Sequence, residues 1–417
     1  MPNIVSQLLQ VRPRRAKRNA SWVVLLGSLC ALPALAGDMY LPLLPSMVID
    51  LHTTQSIAGL TISATLLGGA FGQILIGPLS DKYGRRKPVI MGILVHIIVS
   101  LLCCAVTSIE QLIALRIIQG AANSVANVIA MAVSRDEFSG SKASRILSQL
   151  TLITGVSPLF APSIGSVLDD FGGWRTVFVL LALVGVALLV AVWRTLPETH
   201  PKNKRMNISI FNAIGLYKGV LSNYRFVALS LVAGLAQATV MCWIISSPFI
   251  AQSEWHFSPQ LYALTFGING VGLVVGAQVN ASFVEKIGRK NALRAALMMQ
   301  LVLATSMLLL TSYFDNAGPI LLLPMVLIAF CHTFVTANAT SIALEFNPEL
   351  AGTASAFIGV MNSLLPALIS PIVGFLGGTS GPVALTMCCT LVVSMTTLTL
   401  GTGVIIRKDK LPTIPNF

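Results

Sequence analysis

The chain of 417 residues is too apolar for a soluble globular protein, because 55% of its residues are hydrophobic and only 10% are charged. Soluble domains carry about a quarter charged residues, and one of this size could not bury so much apolar surface. The net charge of +12 would suit a nucleic-acid-binding protein. The basic residues lie in short segments between apolar stretches, however, so we expect a lipid-embedded protein without a nucleic-acid partner.

The N-terminus superficially resembles a cleavable signal peptide. A basic stretch at 12–18 precedes an apolar run, and small residues at 34–37 look like a cleavage site. The apolar run continues to Met47, however, and cleavage after Ala36 would cut a membrane span in half. We therefore predict that the first span is retained.

Apolar stretches of about 20 residues, the length that a membrane-spanning helix needs, recur twelve times. They predict an all-α membrane protein with two six-helix bundles, at 22–195 and 223–405. A basic arm (1–21), a linker too short for a domain (196–222) and a tail (406–417) complete the chain. The predicted spans are 22–47, 56–79, 88–107, 110–134, 147–168, 174–195, 224–250, 259–281, 291–312, 318–340, 352–376 and 379–405.

The basic residues predict the orientation of these spans. If the N-terminus is cytoplasmic, 25 of the 27 Lys and Arg residues fall in the arm, the tail or segments on that side. The other two are Arg116 and Arg175. Cytoplasmic segments of membrane proteins carry such an excess of Lys and Arg, so we expect both termini in the cytoplasm.

A short internal repeat supports the division into halves. Residues 81–86 read Asp-Lys-Tyr-Gly-Arg-Arg, and 285–290 read Glu-Lys-Ile-Gly-Arg-Lys. Both segments follow the second predicted span of their half. Two parallel six-helix repeats are typical of a class of secondary transporters.

The first copy of this repeat predicts a gating loop. Glycine there permits a sharp turn or a close approach of backbones, and Asp81 can accept hydrogen bonds from Arg85 or from a neighbouring helix end. Such a charged contact could break and re-form as the halves move. The alternative is an ordinary basic loop. The gating residues are predicted to be Gly77, Asp81, Gly84, Arg85 and Arg86.

The segment 77–87 resembles the signature motif of the major facilitator superfamily, and the resemblance covers essentially the whole chain. The segment 38–45, Asp-Met-Tyr-Leu-Pro-Leu-Leu-Pro, resembles the first-helix motif of its Bcr/CflA drug:proton antiporters, and 352–355 also fits. The segment 158–165 is similar to the antiporter motif, with Ala161 where glycine is usual; its motif residues are Pro158, Ala161, Pro162 and Gly165. The resemblance implies a monomer in the bacterial inner membrane.

Asp38 and Arg116 are the two charged residues inside the predicted spans and away from their ends. A charge at bilayer depth costs roughly 2.5–3.5 kcal/mol, so these side chains must lie in a cavity or against each other. They are the predicted proton-coupling pair. The alternatives are an acid at the membrane edge and an arginine that snorkels to the surface.

The resemblance implies a role in proton transfer for Arg116, which begins the sequence Arg-Ile-Ile-Gln-Gly. Some members of this family carry another acid two turns before Asp38, where this chain has Cys30 and Ala31. Two-carboxylate coupling is therefore in doubt.

Polar or polarisable residues within the spans are candidates for a substrate cavity. Asn123 and Asn127 share a helix face with Arg116, and methionine and aromatic side chains tolerate varied apolar ligands. The alternative for each is interhelical packing, which we expect for His96 and His332. The cavity candidates are Tyr40, Asn123, Asn127, Gln237, Met241 and Asn269.

These observations predict a proton-coupled exporter of small apolar or amphiphilic compounds, drugs among them. A dedicated exporter of a metabolite, such as an amino acid derivative or siderophore, is the main alternative, and an importer by proton symport is another. We expect no enzyme, because there is no HExxH motif, catalytic cluster or appended domain. The sequence contains no GxxxxGK[ST] loop, which would indicate the use of ATP. Its seven cysteines form no CxxC motif, so we expect neither a metal nor a cofactor.

Overall fold

A computed structural model describes residues 15–138, 140–200, 205, 210–314 and 318–402. These residues are helical, and no β-strand occurs among them. The first half contains α1 (Arg15–Asp38), α2 (Leu44–Asp50), α3 (Gln55–Tyr83), α4 (Arg86–Cys104), α5 (Ile109–Glu137), α6 (Gly140–Gly172) and α7 (Arg175–Thr195). The helix α8 (Ile210–Leu221) lies in the linker. The second half contains α9 (Tyr224–Phe249), α10 (Pro259–Ile287), α11 (Arg289–Tyr313), α12 (Leu322–Glu345), α13 (Ala351–Phe375) and α14 (Ser380–Thr402).

Within the described residues, 12 segments are long and apolar enough to cross a membrane, which confirms the predicted number. The first runs over Trp22–Asp50 and the last over Ser380–Gly401, close to their predicted bounds. Most of the predicted arm and the whole predicted tail lie outside the described residues. Large apolar side chains on the outer surfaces of the helices, such as Phe71, Met91, Phe160 and Leu264, are exposed where lipid would contact them.

The first span is broken immediately after Asp38. Pro42 and Pro45 lack a backbone N–H, and the ring of a proline clashes with the carbonyl four residues earlier, which for Pro42 is that of Asp38. The α-helix therefore ends there. The chain continues through a turn and a 3₁₀ helix at Leu41–Leu43 before α2 begins. Asp38 consequently sits at the C-terminal end of a helix inside the bundle.

The two halves meet along two pairs of helices, α3 with α13 and α6 with α10. Within the first half, α1 packs on α5 and α6, and within the second half, α9 packs on α12 and α13. Corresponding helices thus occupy corresponding places. The linker helix α8 contacts α3 and α13 and so bridges the halves at one end of the bundle. We call this the linker end and the opposite one the far end.

Paired glycines show that the internal repeat extends well beyond the loop. A Cβ at Gly68 or Gly72 of α3 would collide with backbone of α5, and one at Gly276 of α10 would collide with the Phe330 carbonyl of α12. Gly272 packs against the Val326 carbonyl in the same way. Both pairs are GxxxG motifs, which let helices approach closely in membranes. Gly68 and Gly272 are as far apart in the sequence as Asp81 and Glu285 are, and so are Gly72 and Gly276.

Candidate transport cavity

A cavity of about 390 Å³ lies between the halves, in the size range of small-molecule sites. Its wall is formed by α1, α3, α5 and α6 of the first half and by α9, α10, α12 and α13 of the second. Asp38 is the one charged residue among the described residues that line it. Both halves therefore contribute to a site with a single acid.

The cavity continues toward the linker end. A second cavity of about 450 Å³ shares Gln73 and Asn127 with the first and reaches Asp81 and Arg85. Tyr217 of α8 also lines this vestibule. Burial raises the pKa of the Tyr217 phenol, which keeps the hydroxyl protonated. The central cavity is thus continuous with a vestibule at the linker end.

The far end is closed by contacts between the halves. Ser56 Oγ donates to the Gly374 carbonyl at 2.6 Å, and Gln252 Nε2 donates to the Pro42 carbonyl at 2.8 Å. One apolar cluster there joins residues of both halves, including Met39, Leu41, Phe249, Tyr262 and Phe266. The structure is therefore closed at the far end.

Asp38 lies half-buried in the cavity wall. No hydrogen bond or ion pair reaches its carboxylate from any residue that the structure describes. It is therefore not an acid at the membrane edge. The carboxylate is open to exchange a proton, or to bind a ligand, through the cavity.

Arg116 is fully buried and does not snorkel to the surface. Its Nη1 donates to Gln119 Oε1 at 2.5 Å and its Nη2 to the Ala36 carbonyl at 3.1 Å. The guanidinium also lies 4.4 Å from the centroid of the Tyr40 ring, a cation–π contact. Arg116 makes no contact with Asp38, although such a contact was one of the two arrangements that the sequence allowed. Arg116 instead supports the end of α1, two residues before Asp38.

Five of the six predicted cavity residues line the cavity: Asn123, Asn127, Gln237, Met241 and Asn269. The prediction for Tyr40 was wrong, because this side chain is fully buried under Arg116 and its hydroxyl hydrogen-bonds Thr61 at 3.0 Å. The sequence could not show which way the Tyr40 side chain points, because the helix ends at Asp38, two residues earlier.

Two histidines occupy different environments. His96 is fully buried between Asn123 Oδ1, at 2.6 Å, and the Leu181 carbonyl, at 3.3 Å. His332 lines the cavity, and its Nδ1 has no partner. Sequence reasoning grouped His332 with the packing residues. The internal repeat was the signal that could have placed His332 in the cavity, because His332 on α12 corresponds to the cavity candidate Asn123 on α5.

The predicted gating loop forms a cluster around Arg85. Its guanidinium contacts Asp81 at 2.7 Å and Asp136 at 3.1 Å. Both partners belong to the first half. The second half repeats one of these pairs as Arg289 and Glu345, at 2.6 Å. The close approach predicted at Gly77 is absent, because a Cβ there would meet nothing within 4 Å.

Glu198 of the linker was not predicted and completes this cluster. Its carboxylate accepts hydrogen bonds from the backbone N–H groups of Arg85, at 2.8 Å, and Arg86, at 3.4 Å. It thereby caps the N-terminal end of α4, where a negative charge is favourable. Gly84 has a φ of 88° and its Cβ position is filled by this carboxylate, so glycine is required there. The Arg86 guanidinium donates to the Trp193 carbonyl at 2.7 Å.

The antiporter-like segment of α6 packs against the break in the first span. A Cβ on Gly165 would collide with the Met39 carbonyl, and Ala161 is fully buried. Pro158 lines the cavity, while Pro162 is buried. The first-helix motif and the antiporter-like segment are therefore in contact.

Comparisons with known proteins agree with this architecture. The family model described as Major Facilitator Superfamily matches residues 26–371. The chain belongs to the major facilitator superfamily. An uncharacterized MFS-type transporter, YdgK, of Bacillus subtilis is 32% identical over 90% of this chain and 94% of its own length. A bicyclomycin resistance protein homolog of Haemophilus influenzae is 29% identical over 90% of this chain and 94% of its own.

Two further comparisons concern function and fold. The multidrug transporter MdfA of Yersinia pestis is 29% identical over 79% of this chain and 81% of its own length. The crystal structure of the nucleoside transporter NupG has a TM-score of 0.72 at 16% identity, covering 92% of this chain and all of that one. The predicted fold and the resemblance to Bcr/CflA drug antiporters are confirmed. This superfamily member is a multi-pass inner-membrane transporter and not an enzyme.

Proposed function

We propose that this chain is a proton-coupled multidrug exporter that works by alternating access. The observation that carries this function is Asp38, the single charged group in the wall of a cavity formed by both halves. A carboxylate without a protein partner is free either to bind a proton or to accept hydrogen bonds from a substrate. Competition between the two at one site couples their movements in opposite directions.

The distribution of charge supports the direction of transport. The basic loop at 82–87, the linker and Arg289 lie at the linker end, and Lys and Arg favour the cytoplasmic side. We therefore infer that the linker end and both termini are cytoplasmic. The open vestibule then admits compounds from the cytoplasm, while the far end is closed to the outside.

The cycle follows from these elements. A substrate enters through the vestibule and displaces the proton from Asp38. Separation of the halves at the far end releases the substrate to the outside, and protonation of Asp38 from the outside resets the site. When one proton is exchanged for a neutral substrate, one charge crosses the membrane, which is worth roughly 2.3 kcal/mol per 100 mV and sustains about a fiftyfold gradient. Two of the relatives are named for bicyclomycin resistance or multidrug transport, which favours drugs over a dedicated metabolite. We expect the protein to act as a monomer.

The test uses everted membrane vesicles with an acidic lumen. Chloramphenicol or bicyclomycin should cause protons to leave the lumen with the wild-type protein and not with Asp38→Asn. Asp170→Asn, an exposed aspartate of the same half, is the control and should behave like the wild type. Proton efflux that survives Asp38→Asn would remove Asp38 from the coupling role.

A further inference from the structure

The hydrogen-bonding groups of the cavity wall are unevenly divided between donors and acceptors. Three lining residues each hold a buried polar atom without a partner: Asn123, Asn269 and His332. Asn123 and His332 are more than nine-tenths buried. The chemistry of each group follows from the partner of its other polar atom.

His332 offers an acceptor. The Ala236 backbone of α9 lies near the ring and favours an N–H directed at it. Nδ1 has no partner, so we place the ring hydrogen on Nε2, which leaves a free lone pair on Nδ1 of the neutral ring. Within the described residues, no charged side chain acts on this ring to hold it as an imidazolium.

Asn123 offers an acceptor for a related reason. His96 Nε2 must donate to the Leu181 carbonyl, so Nδ1 of a neutral ring accepts. The Asn123 amide beside Nδ1 then turns its NH₂ to the ring, and its oxygen takes the unpaired position. A charged ring would reverse this. The nearest charge that acts on His96 is the cationic Arg116, which makes a buried imidazolium unfavourable.

Several other polar groups of the wall follow the same pattern. Asn269 Nδ2 donates to the Thr265 carbonyl at 3.3 Å, which leaves Oδ1 free. The hydroxyls of Thr65, Ser124 and Thr154 donate to carbonyls of their own helices, so only their lone pairs remain. Opposed to these are the Trp243 indole, which only donates, and the Ser363 hydroxyl, which accepts from Gln73 Nε2 and keeps its O–H to donate. The amides of Asn127 and Gln237 do both.

The charge of the wall is negative, so it favours the same kind of ligand as the excess of acceptors does. Among the residues that the structure describes, Asp38 is its single charged side chain, and neither Lys nor Arg lines the cavity. Because α1 ends at Asp38, the negative end of its dipole also lies there, and this end favours a cation. A ligand that displaces water from the wall must supply the hydrogen bonds that water gave.

We propose that the preferred substrates are cations rich in N–H or O–H donors, namely protonated amines or guanidinium compounds, rather than donor-free lipophilic cations. The cation replaces the proton of Asp38, and its donors meet His332 Nδ1, Asn269 Oδ1 and the Asn123 oxygen. This inference rests on the proposed function, because it names the substrate class of the same cavity.

The test compares two ligands of equal charge on the purified full-length protein. Phenylethylguanidinium carries several N–H donors, and phenylethyltrimethylammonium carries none. Equilibrium binding should favour the guanidinium by about tenfold or more, because the buried acceptors stay unpaired when the trimethylammonium binds. Equal affinities, tighter binding of the trimethylammonium, or binding of neither ligand would overturn the inference.

Variants assign the preference to the acceptors. His332→Phe and, independently, Asn269→Leu should weaken guanidinium binding about fivefold to tenfold. The same variants should weaken trimethylammonium binding less than twofold. His332→Gln restores an acceptor and should recover most of the loss seen with His332→Phe. The control is His52→Phe, at an exposed position outside the cavity. Equal weakening of both ligands in His332→Phe and Asn269→Leu would indicate packing alone and overturn the inference.

The proposed function is judged separately. Chloramphenicol-dependent proton release is measured on the same wild-type protein. If that release is present and the donor preference is absent, the substrate class is wrong and the antiporter stands. If the donor preference is present and no ligand releases protons, the cavity chemistry stands and the proton coupling fails.

Discussion

Gly165 of α6 lies against the backbone carbonyl of Met39, the residue that follows Asp38, without room for a side chain between them. The break in the first span and the antiporter-like segment are thus one packed unit. The position of the Asp38 carboxylate therefore depends on α6 as well as on α1. This gives the segment a physical role: it fixes the acid in the cavity wall.

Gly165→Ala should abolish or strongly reduce drug export, because the new Cβ collides with a carbonyl that cannot move without moving Asp38. Gly155→Ala lies on the same helix where a Cβ meets nothing within 4 Å, and it should transport normally. The measurement is drug accumulation in cells, corrected for the amount of protein in the membrane. Full activity of Gly165→Ala would contradict the packed unit.

Arg116→Lys should lower both thermal stability in detergent and transport. Lysine keeps the charge, but its single ammonium cannot reach both Gln119 and the Ala36 carbonyl as the guanidinium fork does. Hydrogen bonds to charged groups are worth about 1.5–3 kcal/mol each. Thermal unfolding checks the first effect. Unchanged stability together with lost transport would instead indicate a direct role in proton transfer.

Glu198→Gln should loosen the linker end, because the uncharged amide caps the start of α4 less well. We expect a loss of about 1 kcal/mol, as for other helix caps. Thermal unfolding of Glu198→Gln is compared with that of Glu349→Gln, an exposed acid of the second half. If the two variants unfold alike, the cap contributes nothing.

A disulfide across the far end should lock the protein with that end closed. Ser56 and Gly374 are in contact, and a Cβ on Gly374 would lie 3.1 Å from that of Ser56, close to the separation that a disulfide needs. Oxidised Ser56→Cys/Gly374→Cys should not transport, and reduction should restore activity. The two single variants are the controls. Transport by the oxidised double variant would contradict alternating access.

The spans, their grouping and the loop repeat could be predicted from the sequence because lipid imposes a strong and local pattern. Apolar runs of fixed length and basic connecting segments are visible without tertiary information. The break after Asp38 was implicit in Pro42 and Pro45. The cavity candidates Gln237, Met241 and Asn269 were found because polar or soft residues stand out in an apolar span.

The contacts could not be predicted, because they depend on which face of each helix meets which neighbour. Arg116 and Asp38 were expected either in a cavity or against each other, as the two intramembrane charges. Arg116 instead finds neutral partners on α5 and α1, which only three-dimensional packing reveals. Glu198 is far in sequence from the α4 end that it caps. His332 was assigned to packing because a lone histidine in an apolar span does not show whether it faces a cavity.

The most direct test of the central claim is proton release on substrate binding by the purified protein in weakly buffered detergent solution. If substrate and proton compete for Asp38, adding chloramphenicol should release protons from the wild type and from Asp170→Asn. Asp38→Asn should release none, even at concentrations of chloramphenicol that still bind. Undiminished proton release from Asp38→Asn would contradict the assignment of the coupling site to this residue.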